Sequence, residues 1–355
     1  MAVPKLPLTA RGGNAVAKAE GSFRTHAAYM DALAGAADLG AWRSGKRGLG
    51  KLVERAAAVL PAGMEHTQGA IDHAQLRRSL TNAWSTELLV DLAHSLFDDD
   101  ETIRVANNWA VIQAYYVLYH LSQALVVAQG KPRPGSHPTT VSAYASNWLD
   151  RNLDLRPWTL GLNSKGWKNT AAEGAPDVTV HPWSSASDYN MVGLLIRTTR
   201  EGELDDKRRA ARKDKQRARR KEWRDQEAER LKQGRKPRKE PTVPLALLTV
   251  GEKAVVDRKL GAYGVMDYLW RLRVKSNYLD PDTFIEGPAD TISSSEYLSN
   301  TRYFLAATCL VHELRIGNLV GAQTLDNWAR SWGAAHTSGP SGMSLVGPAA
   351  RAELL

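Results

Sequence analysis

The sequence predicts an all-α fold interrupted by a long, charged helical insertion and flanked by irregular segments. Two observations predict it. Apolar residues recur at helical spacing with cap signatures through much of residues 67–318, and residues 203–239 are strong helix formers with almost no large apolar side chains. The chain has 355 residues, 43% hydrophobic and 24% charged, which leaves length for two domains or one large one. That composition excludes a wholly disordered, fibrous or collagen-like chain.

Residues 1–66 are rich in Ala and Gly and read as an irregular leader with short helices near 23–39 and 51–60. Within them Gly45, Gly50 and Lys51 have the spacing of a phosphate-binding P-loop. Leu52 stands where Ser or Thr would hold magnesium and no strand precedes, so a nucleoside triphosphatase is not expected. Ile71, Leu76, Leu80, Trp84, Leu88, Leu92 and Leu96 then recur at spacings of four or five, an amphipathic helix over 67–97.

Asp98, Asp99 and Asp100 end that helix and cap a second, with Glu101 in capping-box position to Asp98 and Gly130 placed as the C′ residue. One stripe of this second helix is Val105, Trp109, Ile112, Tyr116 and Tyr119; another is Val111, Tyr115, Leu118 and Leu125. A helix apolar on two sides is expected at the centre of its bundle. Ser136 caps a third helix carrying Val141, Tyr144, Trp148 and Leu149, with Pro138 in its first turn.

Residues 156–189 break the helical rhythm with Pro157, Gly161, Gly166, Gly174, Pro176 and Pro182, and hold Trp158, Trp167 and Trp183. A long connection of this kind is expected to pack on the body or to have a role. A short apolar helix at 191–197 leads into the charged segment, which Gly234, Pro237, Pro241 and Pro244 terminate. Thr249 and Glu252 form a capping box for a helix through Leu260, Val265, Leu269 and Leu272 to about Lys275. Ser293 and Glu296 cap a last long helix that Gly317 closes. The tail beyond Gly321 holds Trp328 and Trp332 and then becomes polar and Gly-rich, which reads as loosely ordered. The segmentation is therefore 1–66 leader, 67–155 first part of a helical body, 156–245 insertion with a basic arm at 203–239, 246–318 second part of the body, and 319–355 tail.

Charge is concentrated. Residues 207–239 hold 17 Lys or Arg against 5 Asp or Glu, a local net of +12, while the whole chain carries +9; the remainder is therefore −3. Arg208, Arg209, Arg212, Lys213, Arg217, Arg219, Arg220, Lys221 and Arg224 are candidates for phosphate contacts, with Trp223 able to stack on a base or dock the arm. RNA or DNA is the expected partner, because such contacts read phosphates rather than base edges.

The longest apolar stretch, 115–128, is broken by His120, Ser122 and Gln123, so no membrane span or membrane partner is expected. The start, MAVPKLPLTARGGN, has no apolar h-region. The single cysteine, Cys309, can form neither an internal disulfide nor a thiolate zinc site. The expectation is a cytoplasmic protein with a buried thiol, no metal and no cofactor.

Two blocks resemble HEPN domains. AYYVLYHLSQALVVAQGKPRPGSHPTTVSAY, residues 114–144, resembles the family's second helix with its paired aromatics, glycine turn, His and capped third helix; Gly130, His137, Val141 and Tyr144 follow in that order. DYLWRLRVKSNYLD, residues 267–280, resembles the later helix that ends in an Arg-rich stretch, a polar residue and Tyr. The resemblance implies an antiparallel four-helix bundle interrupted by a large insertion, commonly a homodimer or part of a larger assembly. It also implies a bacterial defence or toxin–antitoxin setting.

Many HEPN proteins are metal-independent ribonucleases that use an Arg followed closely by a His. Here the matching block reads RVKSNY from Arg273 to Tyr278 and lacks the His, so the catalytic element looks degenerate. Arg330 and His336 fit the spacing outside that block and are the weak catalytic candidates. Tyr116, His120, Arg271, Arg273, Lys275, Asn277 and Tyr278 are the candidates for a phosphate-holding groove in the bundle, with a solvated face or structural histidines as the plain alternative. His137 is set beside His120 on the same terms. The expected function is a noncatalytic, HEPN-like nucleic-acid or nucleotide-binding protein whose arm contacts phosphates. The alternatives are a HEPN ribonuclease and a scaffold whose arm recruits an acidic protein.

Overall fold

The computed structural model of the chain describes residues 15–38, 49–60, 68–97, 99–151, 153–163, 166–167, 187–242, 244–280, 282–288, 291–336 and 347–353. The fold is all-α. Its helices are α1 (Ala15–Asp38), α2 (Leu49–Val59), α3 (His73–Leu96), α4 (Asp100–Ala128), α5 (His137–Tyr144), α6 (Asp188–Lys232), α7 (Val250–Arg258), α8 (Val265–Val274), α9 (Asp282–Ile285), α10 (Thr291–Val320), α11 (Ala322–His336) and α12 (Pro348–Ala352). Two-residue strands β1 (Leu162–Asn163) and β2 (Gly166–Trp167) pair antiparallel, Leu162 opposite Trp167. The chain forms two units, Met1–Thr199 with Ala262–Leu355, and Arg200–Gly261.

In the larger unit α4 is central, packing on α3, α5, α8, α9 and α10. Its length follows from strong ends. Asp99 accepts a hydrogen bond from Thr102 N at the start, and Gly130 at φ +73° follows the last turn. Gly130 is held to glycine twice over, since a side chain there would also strike the Gly69 backbone. By length and apolarity α4 could cross a membrane, but 83% of its most apolar window is buried inside this unit, as for a core helix.

Several expectations change. The leader is not peripheral: α1 is a 24-residue helix whose Phe23, Tyr29, Met30 and Leu33 are buried in the core, and α2 buries Leu49, Leu52 and Ala56. Its alanines mislead a reading based on large residues, yet Ala32, Ala34, Ala36 and Ala37 are buried too. Lys51 lies in α2, while Gly45 lies outside the described residues. Val105 and Trp109, assigned to a packing stripe of the second helix, are 43% and 57% exposed.

The helix expected from Thr249 to Lys275 is two helices. The Thr249–Glu252 capping box opens α7, but the chain leaves helix after Lys259 and Tyr263 pairs with Leu162. Gly264 then starts α8 where a side chain would press on Leu149 and the Leu160 carbonyl. Gly317 lies within α10, which ends instead at Gly321, φ +92°. The first part of the tail, which carries Trp328 and Trp332, forms α11 with Leu325 and Ala329 buried against the body; of the polar stretch that follows, 337–346 lie outside the described residues. Cys309 is buried.

Candidate nucleic-acid interface

In the smaller unit, α6 and α7 are tied by side-chain ion pairs. Arg208 donates to both oxygens of Asp257 at 2.9 Å, and Lys215 to both oxygens of Glu252 at 2.7 and 2.8 Å. The Lys215 ammonium, with the Thr249 amide, holds the Glu252 carboxyl down at about 2. Beyond α6, the Arg238 amide and guanidinium both donate to Glu227 at 2.7 and 2.6 Å, which lowers that carboxyl. Arg238 also lies over the Trp223 ring, 6.0 Å from its centre.

These contacts sort the sequence candidates. Arg208 is engaged in the hairpin rather than free for phosphate, and half-buried Trp223 docks the returning chain rather than standing clear. Arg212 is half-buried. Arg224 faces Glu240 at 3.2 Å and Arg217 faces Asp214 at 3.4 Å, both exposed pairs that are worth little. Arg209, Lys213, Arg219, Arg220 and Lys221 are exposed and, among the described residues, make no ion pair. At about 100° per residue, Arg209, Lys213, Arg217, Arg220 and Arg224 fall within roughly 80° of one another, turned away from Arg208 and Lys215, which face α7. Arg209, Lys213 and Arg220 therefore share one open face of α6 with the paired Arg217 and Arg224, while Arg219 and Lys221 lie outside that face by about 80° and 40°.

In the larger unit, a second cluster forms where α4, α5 and α8 meet. The Tyr115 hydroxyl and His137 Nδ1 are 2.7 Å apart. The His137 ring lies 4.9 Å from Trp270 and 4.8 Å from Tyr119. The Arg273 guanidinium lies over three rings, 4.9 Å from Trp270, 5.3 Å from Tyr116 and 5.4 Å from Tyr115. His120 stacks on Tyr116. Local sequence explains the convergence: Trp270 and Arg273 are three apart on α8, and Tyr115 and Tyr119 four apart on α4, so each pair shares a face. The Ser136–Thr139 capping box fixes where α5 begins, and with it His137.

Burial pushes His120 down to about 4, and burial with the nearby Arg273 charge lowers His137. Burial raises the Tyr115 hydroxyl. With both imidazoles lowered, the charge that lies over the rings is that of Arg273. Such a set can hold a phosphate at the guanidinium, offer ring faces to a base and move a proton through His137.

Of the groove candidates, Tyr116, His120 and Arg273 come together here. Arg271, about 200° round α8 from Arg273, is on another side. Lys275 is a correction: only 3% exposed, it donates to the Ser22 hydroxyl and lies 3.4 Å from His26 Nε2 and 3.7 Å from Asp280. Beyond Val274 the helix widens into a π turn, Lys275–Leu279, in which Lys275 and Ser276 are buried while Asn277 and Tyr278 are exposed. Tyr115, Tyr119 and Trp270 are the members that the sequence leaves outside the groove, whereas His137 is set beside His120 from the start.

Arg330 and His336 are not brought together. Arg330 pairs with Asp326 at 2.8 Å, whereas His336 stacks on Trp332 and bonds its carbonyl. The two lie about 120° apart round α11. Among the described residues no three His, Cys, Asp or Glu side chains converge as metal ligands. No protein-family model, no curated protein and no solved structure matches the chain.

Proposed function

We propose that this chain is a HEPN-like nucleic-acid-binding protein, noncatalytic at Arg330 and His336. In this reading the α6 face contacts phosphates, and the Trp270–Arg273 cluster is by itself a stacking surface for unpaired bases. The observation that carries it is the open face of α6: Arg209, Lys213 and Arg220 are exposed there and, among the described residues, make no ion pair. Exposed cations of this kind have a use in neutralising phosphates with release of counterions. Tyr115 and Tyr119 are buried, and half-buried Trp270 and Tyr116 are the rings that a base could stack on, which favours single strands.

The test is binding of labelled single- and double-stranded oligonucleotides across a salt series. Replacing Arg209, Lys213 and Arg220 with Gln should flatten the slope of log K against log salt by about 2, at roughly 0.7 per phosphate contact for single strands. Trp270→Ala should weaken single-strand binding about tenfold at an unchanged slope, since it removes a stacking face and no charge. Unchanged affinity and slope in the triple variant would sink the proposal. Loss of an acidic protein partner, with oligonucleotide binding intact, would establish the scaffold alternative instead.

The shared environment of His137 and Arg273 favours one second reading, a metal-independent ribonuclease with its acid–base group on α5. RNA incubated in EDTA with wild type and with His137→Ala decides it; RNA left intact by wild type removes the activity.

A further inference from the structure

The C-terminal helix α12 is five residues long, yet its Arg351 is wholly buried. Arg351 is gripped on two sides by carboxylates of the helical body. Its Nη1 and Nη2 donate to the two oxygens of Glu87 on α3 at 2.5 and 2.9 Å, and its Nη2 and Nε to the two oxygens of Glu313 on α10, both at 2.8 Å. Trp84 Nε1 donates to Glu313 at 2.8 Å, so the seat is fixed by a group that is not part of α12. Burial raises the Glu87 carboxyl, and the Arg351 guanidinium opposes that rise.

The two carboxylates of this seat, Glu87 and Glu313, belong to α3 and α10, and the cation belongs to the C-terminal segment. Paired carboxylates suit a planar guanidinium, whose fork of N–H donors they match two by two; an ammonium supplies the charge without the fork. The segment that delivers the cation is small, and it lies against α11 where Gly333 leaves room for Ala349; a Cβ on Gly333 would come within 2.7 Å of that methyl group. Beside the seat a small open cleft of about 40 Å³ is lined by Trp84, Glu87, Leu305, Trp332 and Pro348. Glu87 of the seat thus borders a mainly apolar cleft that Pro348 of α12 lines but does not fill.

We infer that Glu87 and Glu313, oriented by Trp84, form a guanidinium-binding site of the helical body that α12 plugs in cis. The ligand class it takes when the plug is withdrawn is an alkylguanidinium, the arginine side chain of a peptide. The inference is independent of the nucleic-acid reading, since none of these residues lies on the α6 face or beside Trp270.

Chemical rescue of the full-length Arg351→Ala protein tests it. Thermal unfolding is followed while ethylguanidinium, or ethylammonium at equal ionic strength, is titrated in. Ethylguanidinium at ten times its dissociation constant should raise Tm by about 2 to 4 °C and saturate, and ethylammonium should not. A labelled peptide of residues 347–355 should bind the variant, and the same peptide carrying Arg351→Ala should not. If the variant does not fold, refolding yield in each ion replaces Tm and the same selectivity is expected. Equal effects of the two ions, or an equal Tm rise in the wild-type protein, overturn the site.

Discussion

The Tyr115 hydroxyl and His137 Nδ1, 2.7 Å apart, join the middle of α4 to the first residue of α5 and fix the imidazole against Trp270. Tyr115→Phe removes this hydrogen bond and little volume. The expected outcome is a loss of about 1 kcal/mol in urea unfolding. Single-strand affinity should fall as well, at an unchanged salt slope. A variant as stable as wild type that binds equally well would show that the pair does not orient the ring.

Lys275 gives a pH prediction with a definite sign. Burial lowers its ammonium to about 8 from the ordinary 10.5. Between those values the unfolded chain holds a proton that the folded chain has released, so this group makes stability rise as pH climbs from about 8 towards 10.5. Asp280, His26, Tyr268, Ser22 and Thr283 make up its surroundings. In Lys275→Met this rise should be absent. The measurement is the wild-type minus variant difference in unfolding free energy across that window, and parallel curves would refute the assignment.

His312 works at the acid end. It is fully buried against Trp148, with Nδ1 on the Thr308 carbonyl and Nε2 without a partner. Burial pushes it down to about 3 from the ordinary 6.5, so below pH 6.5 the unfolded chain binds a proton that the folded chain refuses until about 3. Stability is therefore lost as pH falls through that range. His312→Gln should lose less between pH 6.5 and 4 than wild type does, read as the shift in urea midpoint at each pH. Equal losses would place the acid sensitivity elsewhere, with buried His26 the next candidate.

The sequence by itself determined what local chemistry decides. The caps at Ser136 and Thr249, the C′ glycine at 130, the central placement of α4 and the density of cations on α6 all follow from neighbouring residues, because capping, αL turns and i, i+4 faces are settled within a few positions. The tertiary structure alone decided which charges are spent and which are free. Asp257 and Glu252 stand 49 and 37 residues beyond the arginine and lysine they engage, and spacing carries no record of that meeting.

The same holds for Lys275. A π turn, rather than the amphipathic count, turns it inward to a serine 253 residues earlier in the chain. The cluster of Tyr115, His137, Trp270 and Arg273 likewise exists only where α4, α5 and α8 are packed together. Long-range packing sets the neighbours of each ionisable group, and those neighbours decide whether it holds the fold or faces a ligand.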